Sequence, residues 1–223
     1  LVLGEPEAQH AAWGKRVEVG ARLRLCNGRG LLVGARISDI RKVRGEWEVE
    51  LGGLERQVCE RALPQVDVYA AVPKGDRLHE LIDGLSQVGA AVWHPLVAER
   101  TVVEPRAGKL ERLERIAVES LKQCGRAWLL EVGAAVTVKQ ALKASPPVVV
   151  ADSSGTPYAA VGAAHVVVLV GPEGGWTPAE LDLAKGSGAR IARFGPHTMR
   201  IELAAVVAAA AVMDQEARVA QQG

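Results

Sequence analysis

The sequence has few of the residues that build metal centres, disulfide frameworks or aromatic cores. Its 223 residues include three cysteines and five histidines, and neither set has the spacing of a metal site or a disulfide framework. Aromatic residues make up 4% of the chain and hydrophobic residues 48%, so the core is expected to consist of aliphatic side chains. We therefore expect no bound metal and a reducing, cytoplasmic environment.

Long hydrophobic runs are also missing. The longest apolar run covers residues 203–213, which is too short to cross a bilayer, and Glu202 and Asp214 bracket it. It predicts a buried helix, and we expect no membrane partner. The length of the chain suffices for a small domain joined to a medium-sized one.

Positive charge is concentrated near the start of the chain, although the net charge is only +1. Nine basic residues lie between residues 9 and 44, against two acidic residues, Glu18 and Asp39. Clustered cations suit contacts with phosphates, whereas many arginine-rich strands are no more than solvated faces. We favour RNA contact and assign it to four arginines: Arg16, Arg22, Arg24 and Arg29.

Residues 17–58 form short stretches in which apolar and polar residues alternate. Turn-forming residues separate these stretches at Asn27-Gly28, Gly34, Gly45 and Gly52-Gly53. This pattern predicts a small antiparallel β-barrel. We expect the barrel to occupy a first domain of residues 1–64, ending at Pro64.

From residue 65 to residue 223, strand-like and helix-like stretches alternate, which predicts a second domain of the α/β class with a parallel sheet. Four of the five residues from 166 to 170 are valine. This run predicts a strand at the centre of the sheet, buried on both faces. Because ligands bind at the carboxyl ends of such strands, we expect the site in the loops after Ala151, Val170 and Phe194.

Residues 166–181 contain the first of two glycine-rich turns. Three glycines follow the valine run, and Thr177, Pro178 and Glu180 predict the capped start of a helix. Taken alone, the segment indicates a tight turn. Its spacing fits neither the phosphate loop of nucleotide hydrolases nor the dinucleotide fingerprint, which leaves an anion nest for a nucleotide or phosphate as a weaker alternative.

Residues 189–204 contain the second glycine turn. Arg200 and Glu202 come just before the apolar helix. Two charges at that position are costly unless they pair, bind a ligand or reach water. A salt-bridged helix start and a ligand site are both open interpretations.

Together the two segments resemble those of the bacterial 16S ribosomal RNA uridine-N3 methyltransferases of the RsmE type. The similar motifs are Gly-Pro-Glu-Gly-Gly at residues 171–175 and Phe-Gly-Pro-x-x-Met-Arg-x-Glu at residues 194–202. The resemblance covers most of the chain, because further similar stretches lie at residues 73–77, 87–90, 94–95, 99–102 and 119–126.

The resemblance implies a fold, a partner and a cofactor. The implied fold is a trefoil-knotted α/β domain of the SPOUT superfamily, preceded by a PUA-like, RNA-binding β-barrel, in a homodimer that acts on 16S ribosomal RNA or the small ribosomal subunit. The implied cofactor is S-adenosylmethionine. The residues that the resemblance assigns to its binding are Asp152, Gly171, Pro172, Glu173, Gly174, Phe194, Gly195, Met199, Arg200 and Leu203.

Arg200 and Glu202 are the expected catalytic residues. The methyl group of a sulfonium is already activated, so the protein must chiefly orient a flipped-out base against it. Uridine N3 is weakly acidic, and we hypothesise that Arg200 stabilises the negative charge that develops on the uracil.

The chain departs from the family at three positions beside this expected centre. Ile201 and Leu203 stand where the family usually has threonines, and His197 stands where it usually has arginine. Ile201 and Leu203 leave open a non-catalytic RNA-binding protein that retains the knot fold. A knotted methyltransferase that acts on transfer RNA is a second alternative, because the sequence of the knot does not exclude it.

Overall fold

The chain forms two compact units, Leu1–Glu60 and Arg61–Gly223. The computed structural model describes residues 1–4, 7–9, 17–103 and 107–222. Arg16, one of the four arginines expected to contact RNA, lies outside the described residues. Among the residues described, no helix is long and apolar enough to span a membrane.

The first unit contains a four-stranded antiparallel sheet with the order β1-β4-β3-β2. Its small core is aliphatic, as the composition predicts, and includes Ile37, Val49 and Leu51. A closed barrel stays a prediction, because the described strands form an open sheet. The elements of this unit are β1 (Val2–Leu3), α1 (Glu7–Gln9), β2 (Arg22–Cys26), β3 (Leu31–Val43) and β4 (Glu46–Val58).

Two of the predicted turns connect strands of this sheet. The Asn27 side chain accepts hydrogen bonds from the amides of Arg29 and Leu31 and closes the turn between β2 and β3. Arg44 and Gly45 both have positive φ angles, 53° and 94°, in the two-residue connection between β3 and β4. Such turns match the twist of the paired strands.

The turns predicted at Gly34 and at Gly52-Gly53 are wrong. These glycines lie inside the 13-residue strands β3 and β4, where the pairing shifts register between Gly34 and Arg36. Gly53 has a φ of 59°, which a residue without a β-carbon adopts readily. The glycines therefore accommodate a bulge in the sheet, which a turn-based interpretation of the sequence does not distinguish from a chain reversal.

The second unit is an α/β domain with a parallel sheet, as the sequence predicts. Its main path has the order β11-β9-β10-β5-β6-β7, β8 also pairs with β6, and every pairing is parallel. The elements are β5 (Gln65–Ala70), α2 (Arg77–Val88), β6 (Val92–Val97), α3 (Ala107–Cys124), β7 (Glu131–Val132), β8 (Val136–Thr137), α4 (Val138–Ala141), β9 (Val148–Pro157), β10 (His165–Val170), α5 (Pro178–Gly186), β11 (Arg190–Arg193) and α6 (Ile201–Ala220).

Strand β10 lies in the interior of this sheet, between β9 and β5. Val166 and Val168 belong to one buried cluster, which includes residues of α2 and α6, while Val167 and Leu169 belong to a second cluster. Both faces of the strand are therefore covered, which confirms the prediction made from its valines. Each such fully buried side chain contributes about 1.5–3 kcal/mol relative to an exposed one.

Local sequence signals account for the helix boundaries near the site. Thr177 and Glu180 form the predicted capping box at the start of α5, with Pro178 in its first turn. The short helix α4 begins at a capping box of Thr137 and Gln140 and ends at Ala141, and the nearby Ser145-Pro146-Pro147 segment cannot continue a helix.

Gly155 packs against the backbone of β11. A β-carbon at this position would lie 2.5 Å from the Ile191 carbonyl oxygen and 2.6 Å from the Ala192 amide nitrogen. We expect Gly155→Ala to lower the free energy of unfolding by about 1–3 kcal/mol, because paired backbone cannot move aside as a flexible side chain does. Urea denaturation measures this change.

Gly186→Ala is the matched control for this substitution. Nothing lies within 4 Å of the added β-carbon, and the residue ends α5, where alanine is a better helix former. A loss of stability in Gly186→Ala equal to that in Gly155→Ala would show that the backbone contact is not the cause.

Candidate functional site

A cavity of about 590 Å³ lies at the carboxyl edge of the parallel sheet in the second unit. Its lining comes from β9, from the turn after β10 and from the segment between β11 and α6, together with Arg77. Parallel strands end at the same edge of a sheet, which is why segments far apart in sequence meet there. The segments after Val170 and Phe194 are where the sequence predicts the site.

The sequence also predicts a loop after Ala151, and this prediction is wrong, because the residues after Ala151 belong to a strand. They nevertheless line the cavity. β9 continues to Pro157, and its pairing with β11 jumps from Val150 to Thr156. Within this jump the Asp152 carboxylate accepts hydrogen bonds from the Ser154 amide at 2.9 Å and the Ser154 hydroxyl at 2.5 Å. The irregular strand thereby presents Asp152 and Ser153 to the cavity.

Most of the residues that the resemblance assigns to cofactor binding lie around this one cavity. Gly174 and Leu203 do not line it: Gly174 packs against Arg100, and Leu203 is 52% exposed. Their assigned roles stay predictions. The assigned residues that line the cavity are Asp152, Gly171, Pro172, Glu173, Phe194, Gly195, Met199 and Arg200.

Trp176 forms a wall of the cavity that the sequence did not indicate as functional. Its side chain is buried and its indole nitrogen donates a hydrogen bond of 2.9 Å to the Ala151 carbonyl oxygen. The ring lies so close to Gly171 that a β-carbon there would be 2.8 Å from the indole Cε2. Gly171 therefore allows the turn to pack directly on the indole, which ties the turn to β9.

Charged side chains also hold the turn after β10 in place. Glu173 forms ion pairs with Arg77 at 3.0 Å and with Lys74 at 3.7 Å. The Arg100 guanidinium donates a hydrogen bond of 2.8 Å to the Gly174 carbonyl oxygen. Arg77 was missed as a cavity residue, although it lies in the stretch 73–77 that carries part of the resemblance.

Arg200 and Glu202, at the start of α6, differ in their exposure to solvent and in their position relative to the cavity. Arg200 is exposed, lines the cavity and forms no ion pair with any described residue, so a salt-bridged helix start is wrong for the described part of the chain. Glu202 is buried in the first turn, and its Oε2 has no hydrogen-bond partner among the described residues. Because Glu202 does not line the cavity, its catalytic role stays a prediction.

Phe194, which lines the cavity, is connected through Tyr158 to the buried carboxylate of Glu216. The Phe194 ring stacks on Tyr158, with centroids 5.3 Å apart and planes at 24°. The Tyr158 hydroxyl donates a 2.5 Å hydrogen bond to Glu216, which also accepts from the amides of Val161 and Ala163. None of these contacts could be predicted from the sequence, since Tyr158 and Glu216 are 58 residues apart.

These contacts shift both ionisation equilibria. Burial raises the pKa of the Tyr158 phenol, and the hydrogen bond to Glu216 adds to this effect. Burial alone would raise the pKa of Glu216, but hydrogen bonds from Tyr158 and from backbone amides outweigh it and lower that pKa below its ordinary value. At neutral pH the pair therefore consists of a neutral phenol and a carboxylate.

The cavity combines three kinds of surface that suit a polar organic ligand. Asp152 and the glycine-rich turns offer a carboxylate and accessible backbone groups, while Phe194, Met199 and Trp176 offer apolar surface. Arg200 adds a cation that forms no ion pair with the residues described. In the described ranges no group of three histidine, cysteine or acidic side chains is arranged to hold a metal ion.

Comparison with known proteins agrees with this arrangement. The RNA methyltransferase domain family matches residues 60–213. A ribosomal RNA small subunit methyltransferase E from Synechocystis is 33% identical over 75% of this chain. The match covers 62% of the Synechocystis protein, which is less than two thirds of its length. One from Mycobacterium bovis is 29% identical over 95% of this chain and 85% of its own length.

A solved structure extends the likeness to the fold. A Legionella pneumophila protein in complex with the bound cofactor S-adenosylmethionine is 26% identical to this chain, with a TM-score of 0.81. The match covers 95% of this chain and 90% of the Legionella protein.

The fold and the cavity define an α/β protein with a ligand site at the carboxyl edge of its sheet. The chain belongs to the RNA methyltransferase domain family, whose match includes every strand and the whole cavity of the second unit. The resemblance to the RsmE type, stated from the two glycine motifs, is confirmed by the relatives named ribosomal RNA small subunit methyltransferase E.

The lowered pKa of Glu216 predicts how stability depends on pH. A carboxylate whose pKa is lower in the folded than in the unfolded chain stabilises the fold at neutral pH, and this contribution is lost as the pH falls through the folded pKa. The unfolding free energy of the wild type should therefore fall more steeply between about pH 5 and pH 3 than that of Glu216→Gln. Urea denaturation at several pH values measures both slopes.

Asp182→Asn serves as the control, because Asp182 is an exposed carboxylate in a long ion pair with Lys185. This variant should keep the wild-type slope. Equal slopes for the wild type and Glu216→Gln would contradict the prediction.

Proposed function

We propose that the chain is an S-adenosylmethionine-dependent methyltransferase that acts on N3 of a uridine in 16S ribosomal RNA. The observation that carries this proposal is the convergence of both family motifs, residues 171–173 and 194–200, on one cavity. The Legionella protein of similar fold holds S-adenosylmethionine. The uridine-N3 specificity follows from the resemblance to the RsmE type.

The cavity residues fit S-adenosylmethionine. A volume of about 590 Å³ is within the usual range of cofactor sites. We assign the apolar surface of Phe194 and Met199 to the adenine, and the Asp152 carboxylate to hydroxyl groups of the ribose. The turns at Gly171 and Gly195 present backbone groups to the ligand at the cavity. When bound, the cofactor supplies an activated methyl group.

Arg200 is the residue to which we assign stabilisation of the reacting base. Its guanidinium lies at the cavity without a partner among the described residues, so no ion pair must break before it meets an anion. Uracil becomes negatively charged as its N3 proton leaves. A cation already in place stabilises that charge without reorganisation.

We further propose that the second unit is a trefoil-knotted domain of the SPOUT type. β11 is at one edge of the sheet, yet α6, which follows it, packs against α2, β5 and β10. The chain between them, residues 194–200, therefore passes across the carboxyl ends of β9 and β10, where it lines the cavity. Threading of this kind is an exception to the usual rule of unknotted connections.

Homodimer formation and a cytoplasmic location belong to the same proposal. Leu203 at the start of α6 and Val102 after β6 are 52% and 76% exposed. Large apolar side chains at the surface suit a contact with a second copy.

For the first unit we propose a PUA-like barrel that contacts RNA. Arg22 and Arg24 are exposed on one face of β2, while the alternating Leu23 and Leu25 pack against the small core. Arg36 stands opposite Arg22 in the paired strand. The cations therefore share one solvent-facing side, which is the arrangement that phosphate contacts need.

Deletion of the gene tests the proposed activity. Mass spectrometry of ribosomal RNA from the deletion strain should show the loss of one N3-methyluridine in 16S RNA, and the wild-type gene should restore it. Arg200→Ala should not restore it, because removing a charge-stabilising group lowers turnover by about 10²–10³-fold. Its affinity for S-adenosylmethionine, measured by calorimetry, should change far less.

Arg200→Lys is the matched control, since it keeps the charge and should retain part of the turnover. Equal losses of affinity and turnover in Arg200→Ala would show that the residue only builds the pocket. If 16S RNA is unchanged and a methyluridine is lost from transfer RNA, the substrate is transfer RNA. Absence of cofactor binding by the wild type would favour a non-catalytic RNA-binding protein.

The arginines of the first unit have a separate test. Replacing Arg22, Arg24 and Arg29 together by alanine should weaken RNA binding and lower the slope of log affinity against log salt by about one per lost phosphate contact. Fluorescence anisotropy with a 16S RNA fragment measures both. Arg41→Ala is the control, because Arg41 is already paired with Asp39, Glu48 and Glu50; an equal effect there would contradict the assignment.

A further inference from the structure

The carboxylate of Glu216 is more deeply buried than its position on α6 would lead one to expect. Its side chain is 2% exposed, and it lies in the carboxyl-terminal half of the helix, where the helix dipole disfavours an anion. A buried charge at an unfavourable helix end requires compensation. Three hydrogen bonds supply it, from the Tyr158 hydroxyl and from the amides of Val161 and Ala163.

These three hydrogen bonds fall into two groups with different consequences. The two amide bonds fix the connection between β9 and β10. The phenol bond has a further effect, because the Tyr158 ring stacks on Phe194 and Phe194 lines the cavity. A continuous series of contacts thus runs from the carboxylate through the phenol to a cavity wall.

The two ends of α6 therefore both act on the cavity. Ile201 and Ala204 in its first turn line the cavity directly. Glu216 lies fifteen residues further along, about 22 Å at 1.5 Å per residue, and reaches the cavity through Tyr158 and Phe194.

We propose that Glu216 is a positioning residue for the cofactor site, which acts by fixing the Tyr158 phenol and thereby the orientation of the Phe194 ring. The proposal rests on the proposed function of this cavity. Glu216 and Tyr158 do not themselves line the cavity. The hydrogen bond to an ionised acceptor is of the strong, charge-assisted kind, so it holds the phenol in one place.

The chain offers a direct report on the Phe194 ring, because Phe194 is its only phenylalanine. Protein labelled with ring-¹³C phenylalanine should give a single aromatic spin system without any cofactor. In Glu216→Gln, which keeps Phe194 as the only phenylalanine, we expect the ring resonances to move and the ring to flip faster. We expect the same in Tyr158→Phe, where the label adds the signals of a second ring; those signals are identified as the ones that persist in Tyr158→Phe combined with Phe194→Leu. Unchanged resonances in a folded Tyr158→Phe variant would overturn the proposal without bearing on the enzymatic activity.

Cofactor affinity provides the second measurement. Tyr158→Phe removes one hydroxyl and leaves the amide bonds to Glu216 in place, and we expect it to weaken S-adenosylmethionine binding about three- to tenfold. In a Phe194→Leu background the same change should have no further effect on the dissociation constant. This non-additivity distinguishes action through Phe194 from a general loss of stability.

Tyr69→Phe is the matched control, since Tyr69 is the other tyrosine, is partly buried in β5 and does not line the cavity. It adds the signals of a second phenylalanine, but it should leave the Phe194 resonances seen in the wild type and the dissociation constant unchanged. If the wild type binds the cofactor and Tyr158→Phe binds equally well, the positioning role is wrong and the function stands. If the effect of Tyr158→Phe is the same with and without Phe194, the residue acts by another route.

Discussion

Parallel pairing around β10 is the constraint on which the rest of the second unit depends. Val167–Val170 pair in register with Val148–Ala151 of β9, and residues 165–170 pair with β5. Because all these strands point the same way, the turns that follow β10 and β11 emerge at one edge. Val166 and Val168 pack in one buried cluster and Val167 and Leu169 in the other, so β10 belongs to the cores on both faces of the sheet.

Two irregular backbone segments, the turn after β10 and the bulged part of β9, line the cavity, and side-chain contacts hold both in place. Trp176 packs on Gly171, Arg100 holds the Gly174 carbonyl, and the bulged part of β9 is closed by Asp152 and Ser154. Acidic Glu173 is already engaged by two cations, whereas Arg200 is left without an ion pair among the described residues. The charge of Glu173 is thus neutralised within the turn, whereas no described residue neutralises the charge of Arg200 at the cavity.

The two units present two different kinds of surface. In the first, alternation along β2 separates exposed arginines from the core, which provides charge without a defined pocket. In the second, an aliphatic core supports a defined pocket whose lining includes both acidic and basic side chains. Contacts with phosphates supply affinity that is largely independent of sequence, whereas a shaped pocket supplies chemistry. This division agrees with an enzyme that must first hold a large RNA and then select one base.

The sequence by itself determined the features that depend on neighbouring residues. The capping box of Thr177 and Glu180, the buried valine strand and the α/β class follow from patterns a few residues long, and the two glycine motifs identified the family. Tertiary structure alone decided that Gly34, Gly52 and Gly53 lie in a bulged sheet, that Trp176 and Arg77 line the cavity, and that Glu216 reaches Tyr158. Those contacts join residues far apart in sequence, so they exist only once strand order and helix packing have brought the segments together.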